Sequence, residues 1–313
     1  MRAGAATAGH GEPMTIRAGR RAVTVSRPDK VLFPADGVTK RDLAEHYARV
    51  APAMLPLVRG HPVALERFPD GITGMRFYHK NMKHTPEWVH TVTVGKRGGE
   101  LNQVVVDEAA TLVWMADQAC ITPHIWLSRA DRLMHPDQLI VDLDPPEGKF
   151  AEARRVALVV RALLNDLGLP SYAKTTGGKG IHVMVPLDRK AMFDEVRAFA
   201  DGVAAVLAAD DPRRLTREFR KEKRGNRLFL DMGRNAYAQH AVAPYAVRPR
   251  DGAPVATPLD WSEVEDRRLK PERFTIKAVA QRIEANDEPW GPLRGRSLTS
   301  PSRLLTRMRS DPR

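Results

Sequence analysis

Apolar positions recur along this chain with two periods, and the alternation between them lays out an α/β fold. Residues 22–26 alternate and predict a strand, whereas residues 1–20 are Gly- and Ala-rich without a period and are expected to be disordered. Order is expected to begin near Arg21, and Met14 offers an alternative start. Thr39 is placed to cap a helix over 40–57, with Leu43, Tyr47, Val50 and Ala51 on one face. Residues 62–69 and 74–79 predict short strands about the turn Pro69-Asp70-Gly71, 101–106 a further strand and 107–119 a helix. At the centre, 138–144 reads as a strand stopped by Pro145-Pro146. A helix over 150–167 closes at Gly168. Strands over 171–175 and 181–186 flank a turn at Gly177-Gly178-Lys179-Gly180, followed by a helix over 191–208 and a strand over 227–231. Pro, Gly and Arg dominate 235–260, which is expected to be irregular, and 271–286 predicts a late helix. The stretch 291–313 is basic and contains Ser and Pro, as a flexible tail does. One unit over 21–290 follows, and no internal repeat interrupts it.

Composition narrows the class. With 313 residues and 42% apolar content the chain can bury a sizeable core. The net charge of +12 favours a polyanionic partner, nucleic acid before anionic membrane, although an Arg-rich proteome yields the same surplus. A single cysteine, Cys120, allows no intrachain disulfide and no cysteine-based zinc site, which points to a reducing compartment. The N-terminus has no apolar signal region, and no window approaches the ~20 apolar residues of a membrane span. A cytoplasmic protein associated with the nucleoid is the expectation.

The candidate chemistry sits at strand ends. In Val141-Asp142-Leu143-Asp144 the two acids share a face, because strand side chains alternate. Neighbouring carboxylates repel, and a divalent cation relieves the repulsion. The same dipeptide pattern also serves plain turn chemistry. A second apolar strand, Leu228-Phe229-Leu230-Asp231, finishes in an acid too. Three acids on two strands can hold two ions, Mn2+ or Mg2+, as phosphoryl transfer requires. Thr176-Gly177-Gly178-Lys179-Gly180-Ile181-His182 supplies glycines that let backbone N–H groups approach phosphate, with Lys179 and His182 as cationic or donating partners. It lacks the Walker A spacing, and a glycine-rich hairpin accounts for it without any ligand. Arg213, Arg214, Arg217, Arg220, Lys221, Lys223, Arg224 and Arg227 fall within 15 positions, a density suited to triphosphate or nucleic-acid backbone, or to a solvated helix face. Phe77-Tyr78 lies among Arg76, His79, Lys80 and Lys83, where one ring fits the core and the other a base stack.

These motifs resemble the polymerase domain of bacterial ligase D, within the archaeo-eukaryotic primase superfamily. The likeness extends through Pro28-Asp29-Lys30-Val31-Leu32-Phe33-Pro34, Thr39-Lys40, Arg67-Phe68-Pro69-Asp70-Gly71, Pro123-His124-Ile125-Trp126 and Val242-Ala243-Pro244-Tyr245-Ala246-Val247-Arg248, in that order over residues 20–290. The resemblance implies two mixed β-sheets around a catalytic cleft with flanking helices. It implies Asp142, Asp144 and Asp231 as metal ligands, and His124, Thr176, Gly177, Lys179, His182, Arg224 and Arg248 around a ribo- or deoxyribonucleoside triphosphate. Lys30 and Lys40 would grip the 5′-phosphate beyond a DNA gap, with Arg67, Phe77 and Tyr78 on the DNA. It further implies template-dependent gap filling or end extension in non-homologous end joining, with Ku and a DNA ligase as partners. A primase, a gap-filling polymerase of excision repair, a metal-dependent nuclease and a catalytically silent end-binding module are the rivals. Thr176 stands where the family commonly has Ser, Arg234 where some relatives have Gln, and Arg27 replaces a smaller polar residue. No Lys-x-Asp-Gly adenylation motif and no His-rich phosphoesterase segment occurs, so a stand-alone polymerase or an excised domain is expected.

Overall fold

The structure is a computed structural model that describes residues 11–96, 98–285 and 288–310. Two six-stranded sheets form its frame. The first runs Leu215–Thr216, Leu228–Asp231, Gln138–Asp144, Ile181–Pro186, Tyr172–Thr175, Pro258–Leu259, antiparallel except for the parallel outer pair Leu215–Thr216 and Leu228–Asp231. The second runs Ala241–Val242, Cys120–Ile125, His61–Arg67, Gly99–Val106, Thr91–Lys96, and Phe77–His79 also pairs with His61–Arg67. All its pairings are antiparallel, which corrects the expectation of two mixed sheets. The helix Ala109–Asp117 carries the chain from Gly99–Val106 across to Cys120–Ile125. Those two strands lie on either side of His61–Arg67, so no parallel neighbours arise.

Alternation along the strands sorts core from cleft. Leu139, Val141 and Leu143 join the main core with the helices Phe150–Asp166 and Phe193–Asp210. Val63, Leu65, Ile121 and Ile125 join the same core with Lys40–Val58 and Ala109–Asp117. The residues between them, Asp142 and Asp144 on one sheet and Glu66 and His124 on the other, are thereby turned away from the helices. Lys40–Val58 starts where predicted: Thr39 and Asp42 form a reciprocal capping box, worth about 1 kcal/mol. Tyr47, fully buried on its inner face, donates its hydroxyl to Ile121 O at 2.6 Å.

Three expectations change. Met14–Ala18 pairs with Arg21–Val25 around Gly19, whose φ of +63° closes the turn, and buries Ile16, Ala18, Val23 and Val25. Order therefore begins before Arg21, and only residues 1–10 of the expected disordered segment lie outside the described residues. The expected 291–313 tail is ordered over 291–310: Thr299–Ser310 is a helix packed on Phe193–Asp210, and Leu298 and Leu305, two turns apart, are buried. Residues 311–313 lie outside the described residues. The 235–260 segment is mostly irregular, yet it supplies an edge strand to each sheet and so ties them together. The late helix is shorter than predicted, Ile276–Glu284 capped by Thr275; Asn286, its expected end, lies outside the described residues. Among the described residues, no helix is long and apolar enough to cross a membrane.

An ion cluster clasps the two sheets behind the cleft. Asp137, just before Gln138–Asp144, accepts from His61 Nε2 at 2.9 Å and Arg129 Nε at 2.6 Å. Burial would raise this carboxyl, but His61 and Arg129 together outweigh it and hold it at about 2. Because the folded carboxyl ionises below the unfolded one, the cluster's stabilisation is complete above pH about 4 and is lost as pH falls towards 2. Urea unfolding across that window is expected to show about 2 kcal/mol of pH-dependent stability that Asp137→Asn lacks. An unchanged pH profile in the variant would place the acid sensitivity elsewhere.

Candidate active site

The antiparallel register sets four polar side chains in one row across the first sheet. Asp231 pairs with Asp142, Asp142 with His182, and His182 with Lys174. Asp144 lies two residues along from Asp142 on the same face. The strand is braced at this point by Asn235, a buried residue that accepts from Ile140 N at 2.9 Å and donates to Ile140 O at 2.7 Å. It imitates a neighbouring strand where Leu228–Asp231 no longer reaches.

Asp142 and Asp144 are matched to basic side chains. Asp142 lies 3.4 Å from His182 Nε2 and 3.3 Å from Arg234 Nε. Burial opposes ionisation of Asp142, but these partners win and hold it at about 2. Asp144 pairs with Lys179 at 3.0 Å and Arg224 at 3.2 Å. Asp231 has the opposite balance: burial and the neighbouring Asp142 raise its carboxyl, with Arg234 as far as 3.9 Å away. Among the described residues, no three His, Cys, Asp or Glu side chains converge closely enough to coordinate an ion as they stand. The carboxylates are instead engaged by Arg234, Lys179 and Arg224. The donor set still fits a hard divalent cation, since it offers only oxygens, and a cation there would favour the charged form of Asp231, which burial first and Asp142 second disfavour.

The glycine turn faces these acids. Thr176 Oγ1 accepts from Gly178 N and Gly180 N, both at 3.3 Å, so its hydroxyl organises the turn itself. Gly177 has φ +64°, and a side chain there would collide with Arg248 Cγ. A side chain at Gly180 would strike Leu143 O, so the turn can approach the acidic strand only with glycine. Arg248 is held behind the turn because its neighbour Val247 is pinned, its carbonyl accepting from Thr122 Oγ1 at 2.6 Å and its N–H donating to Tyr47 Oη at 3.2 Å. Lys174 Nζ, His182 Nδ1 and Arg248 Nε are buried with no hydrogen-bond partner. Burial and Arg248 lower Lys174 to about 7, and burial, with Lys174 next, lowers His182 to about 4. The orphaned Lys174 and Arg248 donors fit an anionic ligand, whereas His182, which turns Nε2 to Asp142, presents Nδ1 as an acceptor.

The second sheet closes the cleft. His124 Nε2 meets Glu66 Oε2 at 2.8 Å, and Tyr78 packs edge-on to His124 at 5.4 Å between centroids. Glu66 is buried and also pairs with Arg76 at 2.8 Å. The resulting cleft, about 400 Å³, is lined by His124, Asp142, Asp144, Thr176, Lys179, His182, Asp231, Arg234 and Arg248 among others. The structure thus gathers most of the expected site residues. Arg224 reaches it through Asp144, with its guanidinium 3.8 Å from the Phe229 ring centroid. Tyr78 is exposed at the mouth, whereas Phe77 is half-buried beneath the Arg67 guanidinium and is not core, because it points to the opposite face. Arg67 itself donates to Gln118 O at 2.6 Å.

Lys30 and Lys40 stand outside this cleft. Lys30 Nζ pairs with exposed Asp70 at 2.9 Å. Lys40 is buried, its ammonium 2.9 Å from Asp117, 2.8 Å from Ser26 O and 3.1 Å from Ser26 Oγ. Sequence reasoning missed Glu66, Lys174, Asn235 and Asp117, and named Arg234 only as a departure. A charged residue inside the apolar run Val63-Ala64-Leu65-Glu66 was the available signal for the first.

Residues 39–290 match the family of the LigD primase-polymerase domain. The chain is 35% identical over 263 residues to the multifunctional non-homologous end joining DNA repair protein LigD of Mycobacterium tuberculosis, covering 81% of this chain and 35% of that protein. It is 29% identical over 265 residues to the bifunctional non-homologous end joining protein LigD of Bacillus subtilis, covering 84% of this chain and 42% of that protein. The solved polymerase domain from Mycobacterium tuberculosis ligase D in complex with DNA superposes with a TM-score of 0.80 at 33% identity, over 85% of this chain and 95% of that one. The chain spans about a third of the length of the first of these curated relatives.

Proposed function

The chain belongs to the LigD primase-polymerase family, and from that membership we propose that it is a template-dependent nucleotidyltransferase that fills gaps or extends ends of DNA in non-homologous end joining. The observation that carries the reading is the row Asp231, Asp142, His182, Lys174 facing the Thr176–Gly180 turn across one cleft. Asp142 and Asp144 would hold two divalent ions, Mn2+ or Mg2+, with Asp231 completing one site. Bound there, the ions supply charge neutralisation at the α-phosphate and a more acidic primer 3′-OH. Lys179, Arg224 and Arg248 offset charge on the departing pyrophosphate, since all three cations lie in or beside the cleft. Thr176 holds the shape of the turn by accepting from Gly178 N and Gly180 N, and His124, oriented by Glu66, and His182, oriented by Asp142, face the cleft from opposite walls. Ribonucleotides as well as deoxyribonucleotides are substrates, Ku and a DNA ligase are partners, and the site of action is the nucleoid.

The test is gap filling on a template whose downstream strand carries a 5′-phosphate, with Mn2+, comparing ribo- with deoxyribonucleotides. Templated addition is expected. Tight gap binding without addition of any nucleotide would favour a silent end-binding module instead. In the same assay Lys30→Ala is expected to weaken binding about tenfold only when the 5′-phosphate is present, since a hydrogen bond to a charged group contributes about 1.5–3 kcal/mol. An equal loss on unphosphorylated DNA would make Lys30 a general backbone contact.

A further inference from the structure

Phe219 is the most exposed large apolar side chain among the described residues, at 80%. It belongs to neither hydrophobic cluster. Its backbone is nevertheless held firmly. Arg224 donates through Nε to Glu218 O at 3.0 Å and through one amino nitrogen to Phe219 O at 2.8 Å. The other amino nitrogen of the same guanidinium donates to Asp144 Oδ2 at 3.2 Å. The Phe219 main chain therefore stands one guanidinium's width from an acid of the site. The loop is further tied by Glu218 N to Thr216 Oγ1 at 3.1 Å and Arg220 N to Glu218 Oε1 at 3.0 Å. Arg217, Arg220, Lys221 and Lys223 around it are all exposed. An aromatic ring fixed in the open among cations is an arrangement suited to single-stranded nucleic acid: the cations meet phosphates and the ring meets a base.

We propose that Phe219 is a stacking residue at the rim of the cleft, taking one unpaired template base on its ring while Arg217, Arg220, Lys221 and Lys223 hold the flanking phosphates. This rests on the proposed polymerase reading. It adds a residue and a loop that set the position of the template strand relative to Asp144. Base–aromatic stacking does not displace counterions, whereas lysine and arginine contacts do, so the two contributions separate by their salt dependence.

The experiment is binding of gapped duplex DNA, followed by anisotropy at several salt concentrations, with 2-aminopurine placed singly along the template gap. Phe219→Ala is expected to weaken binding by about 5- to 100-fold with an unchanged salt slope, and Phe219→Trp to restore it. One 2-aminopurine position should change fluorescence on binding to the wild type and not to Phe219→Ala. Arg220→Gln with Lys221→Gln is expected to reduce the salt slope instead. Because Phe219 packs in neither cluster, its replacement leaves the fold intact. Wild-type affinity in Phe219→Ala with no responsive probe position overturns the stacking role, and so does a reduced salt slope in that variant. Failure of the wild type itself to bind gapped DNA overturns the polymerase reading, and this proposal with it.

Discussion

Asp142→Ala is expected to lower templated nucleotide addition by about 10³-fold or more while leaving affinity for gapped DNA within about threefold. Asp142 is the centre of the polar row: Asp231 opposes it on one side and His182 on the other. No other acid of the set touches both, so neither Asp144 nor Asp231 can substitute for it. Its loss removes the charge that Arg234 balances and the acceptor that orients His182, and any divalent ion would then have two carboxylates in place of three. DNA binding should persist because the basic loop at 217–224 and Lys30 are separate from this carboxylate. Asp144→Ala is expected to lose addition alike. Single-turnover extension with saturating nucleotide, set beside anisotropy on the same substrate, makes the comparison. Extension at the wild-type rate would remove Asp142 from the chemistry, and a parallel collapse of binding would make it a structural residue.

Much of this site was readable along the chain because it is local in sequence. The Asp142–Asp144 spacing, the glycine turn and the apolar strand ending in Asp231 each fall within a few residues, and strand alternation fixes their common face. What stayed hidden depends on pairing between distant segments. Glu66 lies 58 residues from His124, and Lys40 lies 77 from Asp117. No local pattern reveals such partners, because they meet only when the sheets and helices have packed. The N-terminal hairpin illustrates a different limit. Met14–Ala18 does alternate, but five residues beside a Gly- and Ala-rich stretch carry too little signal without the helices that cover Ile16 and Ala18. The last helix was hidden for the same reason, since Leu298 and Leu305 count as core only once Phe193–Asp210 is there to receive them.

The burial of Lys40 leads to the second large effect. Asp117→Ala is expected to destabilise the protein by about 3–5 kcal/mol, the usual consequence of leaving a buried charge without its partner. The Lys40 side chain is only 3% exposed, and burial already lowers its pKa against the pull of Asp117. Without Asp117 the ammonium keeps only Ser26 O and Ser26 Oγ. Lys40→Met should cost less, because Asp117 is 15% exposed and retains Ser26 N, Ser26 Oγ and Gln118 Nε2 as donors. The double variant should recover part of the Asp117→Ala loss, with a coupling energy of about 1–3 kcal/mol in urea unfolding. The same contacts define the role of Lys40 at DNA. Ser26 joins the hairpin strand Arg21–Val25 to the segment that bears Lys30, so Lys40 and Asp117 together fix where Lys30 points. Lys40→Met, folded at 20 °C by the criterion of the unfolding curve, should therefore lose the preference for a 5′-phosphate through displacement of Lys30, even though its own ammonium is committed inside. If Asp117→Ala is as stable as the wild type, Lys40 is not committed to Asp117, and its ammonium is free to contact the phosphate directly.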